Sequence, residues 1–280
     1  MALGLVISAA VIHAGWNALA KRAADPLAFL WCAGVVGTLL YLPGVLYVLA
    51  LSGFRQAALP FVIATILLHS AYFFTLGRAY RFGDLSVVYP IARGLGVILV
   101  PVFAFAIFDE RLSPPGVAGV ALVVLGIFAL HWRRQRASPA LLAPGTGWAI
   151  ITGVIIAGYS LVDKAGVTHL SPLAYIGLME LGASSVLWPA MLARREGLRR
   201  EWRTNRVAIL ATGILSPGAY LLVLFAFQLS KAAYVVAGRE VSIVLSALIG
   251  SLWMNEGRLA QRLVGAAVVA AGVASVALAR

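Results

Sequence analysis

Charge is scarce in this chain. Asp and Glu number 10 in 280 residues, and charged residues of all types make up 11%. An ordinary soluble domain is about 25% charged and about 45–50% apolar, whereas here the apolar share is 62% and the mean hydropathy +0.96. No soluble fold has interior enough for so much apolar side chain, so a bilayer must supply the rest. Cysteine is nearly missing as well. Cys32 stands alone in an apolar run, which excludes an intrachain disulfide and a cysteine-based metal cluster.

Motifs of soluble chemistry are also absent. There is no HExxH zinc site, no GxSxG elbow and no Walker loop, and His13, His69, His131 and His169 lack close metal-ligand spacing. Arg81-Phe82-Gly83-Asp84 only partly matches the glycine-aspartate signature of intramembrane aspartyl proteases. No cofactor, metal or catalytic residue is expected, and active transport without an ATP site must draw on a gradient or on exchange. The first apolar run has no basic stretch before it and no small-residue cleavage site, so it reads as a retained span, not a signal peptide.

What is present is a succession of apolar runs, each close to the roughly 20 residues that a bilayer span needs. Read between charges and turn formers, the sequence predicts helices over 2–20, 26–51, 58–80, 85–108, 113–132, 147–164, 172–193, 207–229, 232–253 and 259–279. The longest non-apolar links are 133–145 and 194–206.

The runs are internally repeated. Arg93, Glu110, Gly119 and Gly126 recur at one constant offset as Arg239, Glu256, Gly265 and Gly272. Ala14-Gly15-Trp16-Asn17 with Lys21 matches Ala157-Gly158-Tyr159-Ser160 with Lys164, and Asp25-Pro26-Leu27-Ala28 matches Ser171-Pro172-Leu173-Ala174. Recurrence of an Arg, a Glu and a Lys in so uncharged a chain points to duplication. The expected organisation is a first five-helix repeat at 1–132, a basic linker at 133–146 and a second repeat at 147–280. Because five is odd, the second half must enter the membrane in the opposite sense. The predicted fold is therefore an all-α membrane protein of ten transmembrane helices in two inverted five-helix repeats, an architecture of alternating-access transporters.

Most basic residues, among them Arg133, Arg134, Arg136, Arg199, Arg200 and Arg203, fall in links that follow odd-numbered helices. The positive-inside rule places those links in the cytoplasm and both termini outside. Positive charge is thereby explained by topology, and no nucleic-acid partner is expected. The partners expected are a small-molecule substrate and the lipid bilayer, the chain being a monomer or a homodimer.

Ionisable groups at mid-bilayer cost about 2.5–3.5 kcal/mol each on insertion scales and need a partner or a wet cavity. Four stand out: Arg93, Glu180, Arg239 and Glu240. Ser86, Tyr89 and Arg93 share a helix face beside Pro90 and Gly94, and a guanidinium fork suits a carboxylate or phosphate. Arg93 is thus either an anchor for an anionic substrate group or a structural partner of Glu180 or Glu240. Arg239, its repeat partner, is about 100° around the helix from Glu240, so one faces a cavity and the other a neighbouring helix. Glu180 and Glu240, with His69, His13 and Asp163, are the candidates for carrying a proton. Trp16, Asn17, Tyr72, Tyr159 and Tyr220 offer aromatic and amide groups at mid-depth for a substrate wall. For Asn17 and Ser160 the alternative is interhelical hydrogen bonding, for His69 a hydrogen bond between helices, and for Lys21 and Lys164 snorkelling. Gly116, Gly119, Gly126, Gly265 and Gly272 have small-residue spacing, as for helix packing or a dimer contact.

Tyr89-Pro90, Arg93 and Glu110-Arg111-Leu112 running into Gly126 resemble the EamA family of the drug/metabolite transporter superfamily. So do the duplicated five-helix halves and the second turn, Asn255-Glu256-Gly257-Arg258-Leu259. The second half departs at Gly257, where the first has Arg111, and has no proline matching Pro90. The resemblance implies a central cavity lined by both halves, secondary transport by alternating access, and substrates such as amino acids, other metabolites or drugs, often exported. Related nucleotide-sugar carriers keep both termini in the cytosol, the reverse of the charge count. Together the residues suit a secondary exporter of small polar organic metabolites, amino acids or related zwitterions first. A phosphonate or dicarboxylate carrier and a drug-efflux protein are the alternatives, and a membrane enzyme or a scaffold comes last.

Overall fold

A computed structural model describes residues 1–20, 23–82, 85–131, 144–245 and 259–279. Lys21, the Gly83-Asp84 pair, the Ser86 side chain, most of the linker and the second Glu turn around Glu256 lie outside the described residues. So does the 246–253 part of the predicted ninth span.

The described residues form α1 (Ala2–Ala20), α2 (Pro26–Ser52), α3 (Leu59–Phe82), α4 (Leu85–Phe108), α5 (Pro114–His131), α6 (Pro144–His169), α7 (Pro172–Leu192), α8 (Arg195–Leu229), α9 (Ala232–Arg239) and α10 (Leu259–Leu278), with no strand among them. Six of these helices are long and apolar enough to cross a membrane; α1, α5 and α10 supply shorter apolar stretches.

The repeated start signals act alike. Asp25 caps α2, accepting from the Ala28 N–H at 3.2 Å, and Ser171 caps α7, accepting from the Ala174 N–H at 3.4 Å, each just ahead of a proline at the first helical turn. Gly53, at φ +70°, closes α2.

Three boundaries differ from expectation for physical reasons. The polar link 194–206 is helical: α8 starts at Arg195 and turns a corner at Asn205, where φ is −122° and ψ 19°. Polarity there marks a helix outside the apolar layer, not a loop. α6 runs past Lys164 to His169, because Lys164 bonds within the protein and does not end the helix. The ninth span breaks at Glu240, a turn residue between α9 and the helical 241–245 segment.

The chain groups into two compact units, and each draws on both sequence halves. One comprises Met1–Ser70 and Val162–Leu229, the other Ala71–Leu161 and Ser230–Arg280. In the first, α2 packs against α7 and α8, and α1 against α8. Its core gathers Phe29, Cys32, Ala33 and Ile209, with Trp16 and Leu198 against them.

In the second, α5 lies along α10. A Cβ on Gly119 would stand 2.7 Å from the Gly272 carbonyl oxygen, and one on Gly272 2.7 Å from the Gly119 carbonyl oxygen. One on Gly126 would meet the Gly265 carbonyl oxygen at 3.0 Å. Each glycine thus faces the duplicate of the other's position, as an antiparallel crossing of repeated helices requires. The glycine spacing serves packing inside the chain.

Candidate functional site

Each unit has a buried carboxylate centre among the candidate residues. In the second unit it is built on Arg93 of α4 and Glu240 at the α9 break. The Arg93 Nη2 donates to Glu240 Oε1 at 2.5 Å and its Nε to Oε2 at 3.2 Å, a two-pronged fork. Arg93 is 9% exposed and Glu240 2%. The sequence left the partner of Arg93 open between two acids; the structure pairs it with Glu240. Tyr72, Tyr89 and Tyr159 lie within electrostatic reach of the guanidinium, and Tyr72 meets Tyr159 edge-on at 5.8 Å. Arg239 is half-buried and within reach of Glu240 and Tyr72. Two arginines therefore stand close to this one acid.

The Glu turn of the family resemblance holds this centre in register. Glu110 Oε2 accepts the Ala232 N–H at 2.7 Å, capping the start of α9. Tyr234 OH accepts the Ser113 N–H at 3.3 Å, and the Lys231 ammonium donates to the Arg111 carbonyl. Asp109 turns the chain with φ 50°, a region Asp tolerates better than most residues. The eight residues of α9 then carry this register to Arg239.

The centre of the first unit is neutral in its donors. Asp163 of α6 is fully buried. Its Oδ1 accepts from Thr65 Oγ1 at 2.6 Å and from Tyr175 OH at 2.9 Å, and its Oδ2 accepts from Tyr220 OH. His69 Nε2 stands 4.0 Å from Oδ2, while its Nδ1 lies 3.0 Å from the Thr65 carbonyl oxygen. With Nδ1–H bonded to that carbonyl, Nε2 presents its lone pair toward Asp163 when the ring is neutral and an N–H when it is protonated. His69 also meets Tyr220 edge-on at 5.5 Å. Sequence reasoning named Asp163, His69 and Tyr220 but missed Thr65 and Tyr175. Thr65 sits one turn before His69, and that spacing was the available signal.

The remaining candidates lie elsewhere or serve their own helices. Glu180 of α7 is partly exposed, with its carboxylate against Gly34 of α2, and has no hydrogen-bond partner among the described residues. His13 and Trp16 stack edge-on at 4.7 Å. The Asn17 amide donates to the His13 carbonyl at 2.8 Å and Ser160 to the Ile156 carbonyl at 2.7 Å, so among the described residues both bond along their own helix. Lys164 donates to the Phe227 carbonyl at 3.1 Å, in the last turn of α8, where a cation is favourable; this replaces the snorkelling expectation. His69 and Tyr72, one helix face in the sequence, belong to different centres.

Known proteins are similar to stretches of this chain. The EamA-like transporter family matches residues 143–278, and the Small Multidrug Resistance protein family matches residues 28–123. The nicotine metabolites export pump subunit NepA of Paenarthrobacter nicotinovorans is 32% identical over 80 residues, 29% of this chain and 67% of that protein. The multidrug transporter EmrE of Escherichia coli is 25% identical over 69 residues, 25% of this chain and 63% of EmrE. Multidrug transporter PA4990 of Pseudomonas aeruginosa is 35% identical over 46 residues, 16% of this chain and 42% of that relative. The chain thus spans less than two thirds of the length of these last two relatives. A solved crystal structure of 16% identity superposes with a TM-score of 0.75 over 99% of this chain and 97% of its own, which shows the fold.

The chain belongs to the EamA-like family of the drug/metabolite transporter superfamily. It is an all-α, multi-pass membrane protein.

Proposed function

We propose that this protein is a secondary exporter of small polar organic metabolites, amino acids or related zwitterions first, working by alternating access. The observation that carries the reading is the Arg93–Glu240 fork, ringed by Tyr72, Tyr89 and Tyr159, with Arg239 close to Glu240. A zwitterion can take over both halves of this pair, its carboxylate on Arg93 and its ammonium on Glu240, so that neither buried charge is left alone. Substrate entry then costs less than burying a single charge. The tyrosines supply an apolar wall with hydroxyls at its edge.

Asp163 with His69 is the proton-coupling centre in this reading, because it can gain a proton without losing an ion-pair partner. Glu180 is a second carboxylate able to take one. The alternative occupant is a cationic drug, in keeping with the names of the multidrug relatives. A bare cation would have to reach Glu240 past two arginines, which makes it the weaker fit.

The test is counterflow in proteoliposomes with labelled amino acids, phosphonates and cationic drugs, under an imposed pH gradient. The expected result is zwitterion flux that Arg93→Lys lowers at least tenfold, since lysine cannot reproduce the fork. Asp163→Asn should leave exchange intact while abolishing the response to the gradient. Flux of cations alone, unaffected by Arg93→Lys, overturns the substrate assignment.

A further inference from the structure

We propose that the basic first part of α8 is a binding site for an anionic phospholipid, with the headgroup phosphate on the Arg199, Arg200 and Arg203 guanidinium groups. The kink at Asn205 divides α8 into a polar segment, 195–204, and a membrane-crossing remainder. The polar segment is fixed to the protein on its inner side. Leu198 packs on the Phe29–Ile209 core. Glu201, fully buried, accepts the Asp25 N–H at 2.8 Å and the Asn205 amide at 2.7 Å, and Arg194 bridges to Asp25 at 3.2 Å. Its outer side is therefore presented in a set direction.

That outer side carries Arg199, Arg200 and Arg203, all exposed, around a surface depression of about 300 Å³ that Glu196 and Thr204 complete. Guanidinium groups on successive turns offer several N–H donors to one phosphate. Beyond the kink the exposed positions continue at helical spacing, but as apolar residues: Val207 is 74% exposed, Leu210 44% and Ile214 51%. Trp202, 46% exposed, sits beside the arginines, where the amphipathic indole favours the headgroup level. Such a sequence of surfaces, apolar flank, indole, then clustered arginines, matches a phospholipid from its acyl chains to its phosphate. A soluble phosphate would use only the last of these. The choice of an acidic lipid follows from charge complementarity: Arg195 and Arg206 add to the same end, with Glu196 the one exposed acid in the segment.

The experiment reconstitutes the full chain in nanodiscs of phosphatidylcholine doped with a photoactivatable phosphatidylglycerol or an equally labelled phosphatidylcholine, and maps the adducts by peptide mass spectrometry. Adducts from the acidic lipid are expected to concentrate on 199–214 and to be competed by unlabelled phosphatidylglycerol but not by millimolar inorganic phosphate. In Arg199→Gln/Arg200→Gln/Arg203→Gln, binding of the acidic lipid should weaken about a hundredfold, given the usual contribution of each arginine near an anionic surface. Melting of the variant in neutral lipid checks that it folds, and the wild-type mapping stands if it does not. Equal labelling of 199–214 by both lipids overturns the proposal. Competition by phosphate alone overturns it too, in favour of a soluble anion.

Discussion

The buried carboxylates of Glu240 and Asp163 solve the same problem by opposite means. Glu240 is neutralised by a cation held in a two-pronged fork, whereas Asp163 is solvated by three hydroxyls from Thr65, Tyr175 and Tyr220. A charge pair has a preferred replacement, another charge pair, and so is suited to exchange for a ligand. A carboxylate held by neutral donors can change its own charge without stranding a partner. On the function proposed above, the difference separates substrate from proton: the first centre is the place for ions to be swapped, the second the place for one proton to be added.

This contrast can be broken by substitution. The largest effect is expected for Arg93→Ala, which strands a buried Glu240 and should cost about 3–5 kcal/mol of stability. Adding Glu240→Gln should restore much of the loss, and a thermal-denaturation cycle over the four proteins measures the coupling directly. Absence of coupling would mean that the fork contributes nothing to stability. Asp163→Asn should cost less, about 1–3 kcal/mol, because it removes charge-assisted bonds but leaves no orphaned cation. A loss as large as that for Arg93→Ala, by the same denaturation, would erase the distinction between the centres. Smallest is Tyr220→Phe, expected to cost about 1 kcal/mol since Thr65 and Tyr175 still hold the carboxylate. Its thermal midpoint should therefore fall below wild type and above that of Asp163→Asn.

Much of this was legible in the sequence, though unevenly. The helices followed from apolar run length, and the paired starts at Asp25-Pro26 and Ser171-Pro172 from capping chemistry. Arg93 and Glu240 stood out because a charge in an apolar run is costly, and Asp163 was named beside them as a candidate proton carrier. Their partnerships did not, since which acid meets Arg93 depends on helix packing across distant parts of the chain. Polarity also misled at 194–206: a helix lying against polar surroundings has the composition of a link. Glu110 was recognisable as part of a motif, but its work as the cap of α9 becomes visible only when Ala232 is seen beside it.

The arrangement of the two units bears on how such a chain can evolve. Neither half alone contains a complete centre: Arg93 needs Glu240, Thr65 and His69 need Asp163, and Gly119 rests on Gly272. A substitution accepted in one half is therefore judged by residues encoded in the other. With the parts so divided, neither half can be lost or replaced by a second copy of the other. Carrying both in one polypeptide guarantees that they are made in equal number.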